Sequence, residues 1–246
     1  MDSQLPDGHW TPETVLSSLP QKPQENTTSP IPFFHILERL KTTKREGWRR
    51  FGINHGETIS DHMYRMSIIT MFCPPTLAAK LDIARCTRMA LIHDMAESLV
   101  GDITPKDGVS KPEKSRREAE TMDYLCDGLL GKVYGGANAQ SMKDVWREYE
   151  DDLTPEAHFV HDVDKIELLL QMVEYERSNE GRLDLGEFSR VASRVVLPEV
   201  QEWAAQIIQE RTTFWSTMNK TASGEAHISD KLKQAQDEYY GGQPKP

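Results

Sequence analysis

The sequence predicts an all-α protein, and three observations carry that reading. Apolar residues recur at helical spacing along most of the chain, as in Phe33, Phe34, Leu37 and Leu40. Helix-start signals, such as Thr154 followed by Pro155, stand at the head of these runs. No stretch shows the period-two alternation of a half-buried strand, and there is no internal repeat or low-complexity tract.

Residues 1–30 hold Pro6, Pro20, Pro23 and Pro30 among polar side chains and read as a flexible N-terminal arm. A first helix is expected from Ile31 to about Lys41, followed by a basic loop through Arg45-Glu46-Gly47-Trp48-Arg49-Arg50. Thr58 or Ser60 can cap a second helix that carries Met63, Met66 and Ile69 on one side and His62 in its first turn. A third helix is expected from about Leu81 to Leu99, stopped by Gly101.

Gly101-Asp102-Ile103-Thr104-Pro105 reads as a loop, and Ser110 with Glu113 as a capping box that opens a charged helix to about Leu130. Gly131, Gly135 and Gly136 break it. A short helix around Trp146 and Tyr149 precedes a long one, capped by Thr154-Pro155 and running to about Asn179. Two further helical segments are expected at 185–194 and 198–215, with a polar, disordered tail at 216–246. The chain of 246 residues is long enough to bury a sizeable core, and one domain is expected over 31–215.

Composition narrows the function. Hydrophobic residues make up 37% and charged residues 28%, and no run approaches the roughly 18 consecutive apolar residues of a membrane span. The N-terminus lacks a basic region followed by an apolar stretch, so an intracellular, cytoplasmic protein is expected, with the nucleus also open. Cys73, Cys86 and Cys126 have neither even number nor C-x-x-C spacing, which argues against a disulfide framework and a zinc-thiolate site. A balance of 29 basic and 39 acidic residues, net −10, repels polyanions, so no nucleic-acid polymer is expected as partner.

Four side chains stand out as metal ligands: His62, His93, Asp94 and Asp164. Two imidazoles and two carboxylates from three helical segments suit one hard-to-borderline divalent cation, with positions left for water and substrate. Asp164 falls between Val160 and Leu168 on an apolar stripe, where a carboxylate needs a partner. Glu97, one turn beyond His93 on the expected helix, is placed to orient a water, take its proton or hand one to a leaving alkoxide. Asp61, Asp162 and Lys165 neighbour these ligands and are candidates to orient the imidazoles. The bland alternative for the whole set is helix capping and ion pairing.

These residues, taken with Arg45-Glu46-Gly47-Trp48, Ser60-Asp61-His62-Met63-Tyr64-Arg65-Met66, Leu91-Ile92-His93-Asp94-Met95-Ala96-Glu97, Val100-Gly101-Asp102-Ile103, Lys114-Ser115-Arg116-Arg117-Glu118 and Glu174-Tyr175-Glu176, give the chain its family likeness. It resembles the HD-domain metal-dependent phosphohydrolases, with their H…HD…D pattern. Within them it is most similar to the 5′-deoxynucleotidases of the YfbR-like and HD-domain-containing-protein-2 type, over about residues 31–215. The resemblance implies an HD-domain helical bundle, one divalent cation (Mn²⁺, Co²⁺ or Mg²⁺, with Fe²⁺ also suited) on His62, His93, Asp94 and Asp164, and a catalytic Glu97.

The same resemblance implies a possible second metal at Glu97, Asp102 and the Ile103 carbonyl, an oxygen-only set that favours Mg²⁺. It implies that Arg45 grips the substrate's 5′-phosphate, Trp48 crowds the place of a ribose 2′-hydroxyl and Asp102 reads the 3′-hydroxyl, with Arg49 and Arg50 as alternative phosphate ligands. His9, His35, His55, His158, His161 and His227 are left outside the ligand set. The expected activity is hydrolysis of deoxyribonucleoside 5′-monophosphates (dAMP, dGMP, dCMP, dTMP) by a homodimer. The alternatives are a phosphodiesterase or alarmone hydrolase acting on another nucleotide, and a catalytically silent nucleotide-binding regulator.

Overall fold

The structure, a computed structural model, describes residues 9–224, 228–230, 233, 234 and 237. Its α-helices are α1 (Pro12–Leu16), α2 (Ile31–Thr42), α3 (Glu46–Arg49), α4 (Ile59–Thr70), α5 (Pro75–Ala78), α6 (Ile83–Ile92), α7 (Glu97–Val100), α8 (Lys111–Asp123), α9 (Ala137–Asp151), α10 (Pro155–Ser178) and α11 (Pro198–Thr217). A π-helical stretch, Tyr124–Leu129, extends α8, and 3₁₀ turns occupy Val133–Gly136 and Gly186–Arg194. Among the described residues no strand forms, and one isolated antiparallel bridge joins Lys44 to Thr58. The all-α expectation holds. No helix of the described residues is long and apolar enough to cross a membrane.

The capping chemistry is partly as expected. Thr154 Oγ1 accepts from the Ala157 amide at 3.1 Å and starts α10. Thr58 caps α4 through a reciprocal box: its hydroxyl accepts from the Asp61 amide at 3.1 Å, and Asp61 Oδ2 accepts from the Thr58 amide at 2.8 Å. Ser110 occupies the N-cap of α8 without a side-chain cap bond, and the Glu113 carboxylate that would complete a box accepts instead from Arg116 and Arg117 at 2.8 Å each. The expected Ser110–Glu113 box is therefore absent.

The chain divides into two compact units, the first comprising the described residues of 1–64 and 91–151 and the second those of 65–90 and 152–246. In the first, α2 packs on α7, α7 on α8, and α1 on both α7 and α8. Phe33, Ile36 and Leu40 form the buried face of α2, and Met122, Leu125, Cys126 and Leu129 that of α8 and its π-helical extension. The segment expected as a free arm is tied down where it is described. Leu16 is 1% exposed, the Asn26 amide bonds the Gly128 carbonyl at 2.8 Å, and Arg116 Nη2 bonds the Trp10 carbonyl at 2.9 Å. Proline-rich composition hid an anchor made by one leucine and a few backbone groups. Residues 1–8 of the arm lie outside the described residues.

In the second unit α10 packs on α11 and on the 3₁₀ turn Gly186–Arg194. Its 24 residues bury side chains on several sides, three of them carboxylates, and each carboxylate is compensated. Asp162 accepts from the Val196 and Leu197 amides at 3.0 and 2.7 Å; Glu167 meets Arg65 Nη2 at 2.6 Å; Glu176 takes Arg211, the Trp215 indole and the Leu185 amide at 2.8–2.9 Å. The start of the expected tail is also held: the Ser223 amide and hydroxyl bond Asp184. Further along, Ile228 is 6% exposed and Arg190 pairs with Asp237 at 2.8 Å, and residues 225–227, 231, 232, 235, 236 and 238–246 lie outside the described residues.

Candidate metal and phosphate site

The first unit gathers three of the expected ligands. His62 enters from the first turn of α4 and is fully buried; His93 and Asp94 follow α6. One ligand atom from each of the three lies within 4.8 Å of the others. Asp94 Oδ2 stands 3.2 Å from His93 Nε2 and 3.8 Å from His62 Nε2, and the two imidazole rings meet edge to face with centroids 5.5 Å apart. Tyr149 backs His93, ring centroids 4.9 Å apart. Two nitrogens and one carboxylate oxygen converging in a largely buried place, with no thiolate, fit a borderline or hard divalent cation.

The helix expected over 81–99 is broken at these residues. α6 ends at Ile92 and α7 begins at Glu97, and between them the Met95 amide bonds the Ile92 carbonyl and the Glu97 amide the Asp94 carbonyl, at 2.9 and 3.0 Å. Neighbouring residues on a regular helix point about 100° apart, which would send the His93 and Asp94 side chains in different directions. The tight turn lets adjacent side chains face one centre. Glu97 still follows His93 closely, but across that turn and at the head of α7.

Glu97 is 2% exposed. Burial, joined by the negative charges of Asp94 and Asp102, pushes its carboxyl well above the usual range. Its Oε2 is buried with no hydrogen-bond partner among the described residues, and its Oε1 stands 4.0 Å from Lys114 Nζ. The charge on Asp94 is opposed by burial, but His93, Arg45 and His62 outweigh that and hold its carboxyl far below the usual range. On α8, burial pushes Glu118 up to about 7 against the pull of Lys114, and burial likewise raises Glu150 on α9.

Of the three arginines in the basic loop, Arg45 turns to the site: its Nη1 is 3.4 Å from Asp94 Oδ2. Arg49 pairs with Glu46 at 2.8 Å and Arg50 with Asp107 at 2.5 Å. Trp48 is 2% exposed and its indole N–H donates to Glu57 Oε1 at 2.7 Å, which anchors the loop under Arg45. Asp102 Oδ2 accepts the Glu46 amide, and Ile103 is buried beside it. No cluster of three or more histidine, cysteine or acidic ligands among the described residues contains Glu97 or Asp102.

Asp164 stands half-buried on α10, in the second unit. Two of the expected imidazole-orienting neighbours have other tasks. Asp61 completes the α4 cap, and Asp162 receives the Val196 and Leu197 amides and Lys165 Nζ, the latter at 3.2 Å. Adjacency in sequence suggested a role that the helix twist assigns elsewhere. Among the remaining histidines, His158 Nε2 lies 3.0 Å from the Asp152 carbonyl and His161 Nε2 3.6 Å from the Asp152 carboxylate; His227 lies outside the described residues. Sequence reasoning missed Lys114 as a member of the site; its four-residue spacing from Glu118 was the available signal.

Comparison with known proteins places the chain in a family. The HD domain family matches residues 37–204. The 5′-deoxynucleotidase hdd1 of Schizosaccharomyces pombe is 44% identical over 190 residues, spanning 77% of this chain and 94% of that protein. Human 5′-deoxynucleotidase HDDC2 is 35% identical over 185 residues, 74% of this chain and 86% of that protein. Among solved structures, HD domain-containing protein YGK1 aligns with a TM-score of 0.60 at 31% identity, over 84% of this chain and 100% of that one.

Proposed function

Since this chain belongs to the HD-domain family, alongside 5′-deoxynucleotidases, we propose that it hydrolyses deoxyribonucleoside 5′-monophosphates to a deoxynucleoside and inorganic phosphate. The observation that carries the reading is the convergence of one ligand atom each from His62, His93 and Asp94 within 4.8 Å, together with a buried Glu97 whose Oε2 has no hydrogen-bond partner among the described residues. The substrates are the 2′-deoxy compounds dAMP, dGMP, dCMP and dTMP, and the cation is Mn²⁺, Co²⁺ or Mg²⁺. His62, His93 and Asp94 hold that cation, and the H…HD…D spacing supports Asp164 as the fourth ligand.

When bound, the cation supplies positive charge to the phosphate oxygens and makes water a stronger acid. Arg45 neutralises and orients the phosphate, because a guanidinium forks onto phosphate oxygens. The water oxygen forms a new bond to phosphorus as the bond to the 5′-oxygen breaks. Its proton passes to Glu97 Oε2 and from there to the departing 5′-oxygen, so Glu97 acts first as base and then as acid. Burial and neighbouring carboxylates raise the proton affinity of Glu97 above that of an ordinary glutamate. Trp48 shapes the sugar pocket against a 2′-hydroxyl, and Asp102 faces the 3′-hydroxyl.

An exposed apolar strip on the second half of α4 and just beyond it, Ile68, Met71 and Phe72, supports the homodimer reading, which sedimentation velocity tests. The activity is tested by phosphate release from metal-depleted protein, with Mn²⁺, Co²⁺ or Mg²⁺ restored one at a time. Release from dAMP in preference to AMP, cyclic nucleotides and pyrophosphorylated nucleotides is expected. Equal rates on AMP, or no release with any of the three metals, would overturn the reading.

A further inference from the structure

Lys114 sits on α8, the helix that packs on α7, and its Nζ stands 3.4 Å from Glu118 Oε1 and 4.0 Å from Glu97 Oε1. Residues four apart share a helix face, so the buried Glu118 keeps the ammonium on the side of α8 that meets Glu97. The two oxygens of Glu97 are thereby made unequal. Oε1 faces a cation, while Oε2 is buried and has no hydrogen-bond partner among the described residues. A carboxylate in open water exchanges its oxygens by rotation, and a neighbouring ammonium on one side biases that rotation.

We propose that Lys114 is a positioning residue for the phosphate-ester hydrolysis: it holds Glu97 Oε1 and so presents Oε2 to the proton that moves. Glu118 anchors the lysine in that task. Lys114 touches neither the substrate nor the reacting atoms. The proposal rests on the reading of Glu97 as the proton carrier, and its test separates the two.

Lys114→Met, Lys114→Arg and Glu118→Gln are assayed in the full chain with Mn²⁺ and dAMP. Lys114→Met lowers kcat by about 10- to 100-fold while KM stays within about twofold, and Lys114→Arg recovers most of the loss. A second readout needs no turnover. In metal-free protein the carboxyl ¹³C resonance of Glu97, identified by its disappearance in Glu97→Gln, shifts in Lys114→Met and stays near its wild-type position in Lys114→Arg. If Lys114→Met does not fold, Glu118→Gln, which releases the lysine but leaves it in place, moves kcat and the resonance in the same directions by less.

A raised KM at unchanged kcat would make Lys114 a substrate contact and overturn the proposal. So would an unmoved Glu97 resonance. If the wild type turns over no deoxynucleotide, the reading of the activity falls, and the resonance alone still decides whether Lys114 holds Glu97.

Discussion

The backbone amide of Glu46 donates to Asp102 Oδ2 at 2.5 Å, which ties the loop bearing Arg45 to the chain that leaves α7. Glu46 is the first residue of α3, and its N–H is one that a helix start leaves without an internal partner. Gly101 makes the connection possible by turning at φ +79°, a conformation that few L-residues adopt. Asp102→Ala leaves this amide without its acceptor and frees the arginine loop. The expected outcome is a loss of about 2 kcal/mol in urea denaturation and a rise of about tenfold in KM for dAMP. Asp102→Asn keeps an oxygen acceptor and retains most of the stability.

The loop arginines are predicted to separate cleanly. Arg45 is the one within reach of Asp94, whereas Arg49 and Arg50 are paired with Glu46 and Asp107. Arg45→Met raises KM for dAMP by about 10- to 100-fold, because a lost charge-assisted hydrogen bond costs about 1.5–3 kcal/mol. Arg49→Met and Arg50→Met stay within about twofold. Arg45→Lys falls between, since an ammonium keeps the charge but not the fork. Steady-state kinetics with all four variants checks the order.

Metal content and turnover are expected to fall together in the ligand variants. His93→Ala removes one of the three converging ligand atoms, and the protein purified from it carries less than about a tenth of the wild-type cation. Phosphate release falls by about a thousandfold or more. Asp164→Asn behaves in the same way if it is the fourth ligand. Elemental analysis beside the phosphate assay checks both, and full metal content in Asp164→Asn removes it from the set.

The buried ion pair of the second unit gives a stability test far from chemistry. Arg211 forks onto Glu176 with Nε and Nη2 at 2.9 Å each, and the two residues are 4% and 0% exposed. Arg211→Met strands a buried carboxylate and destabilises by about 3–5 kcal/mol. Replacing both partners, as in Arg211→Met with Glu176→Leu, recovers part of that loss. Thermal melts of the two variants decide the point.

Much of this arrangement is legible from residue order, and the exceptions share a cause. The starts of α2, α4, α10 and α11 follow from apolar spacing and from Thr58, Thr154 and Pro198. His62, His93 and Asp94 are legible because their types and helical settings suit one cation. The break between α6 and α7 is not: nothing in Leu91–Glu97 disfavours a helix, and the turn that brings His93 and Asp94 to one centre leaves no signal in the local sequence. Lys114 and the anchor at Leu16 depend on which helices meet, which periodicity along one chain does not encode. Asp61 and Asp162 show the opposite error, in which closeness in sequence to a ligand suggested a shared task.

Glu118 supplies a pH dependence whose sign follows from its surroundings. Burial pushes its carboxyl up to about 7, with Glu150 and Asp94 adding and Lys114 opposing, against 4.5 for an ordinary glutamate. The folded protein therefore binds this proton more tightly than the unfolded chain. Its contribution to stability is complete below about pH 4.5 and is lost as pH rises through about 7. The full span is on the order of 3 kcal/mol in metal-depleted protein. Glu118→Gln, which stays neutral, removes this part of the dependence. Urea midpoints measured from pH 5 to 8 are expected to fall more steeply for the wild type than for the variant, and parallel profiles would show that Glu118 ionises normally in the fold.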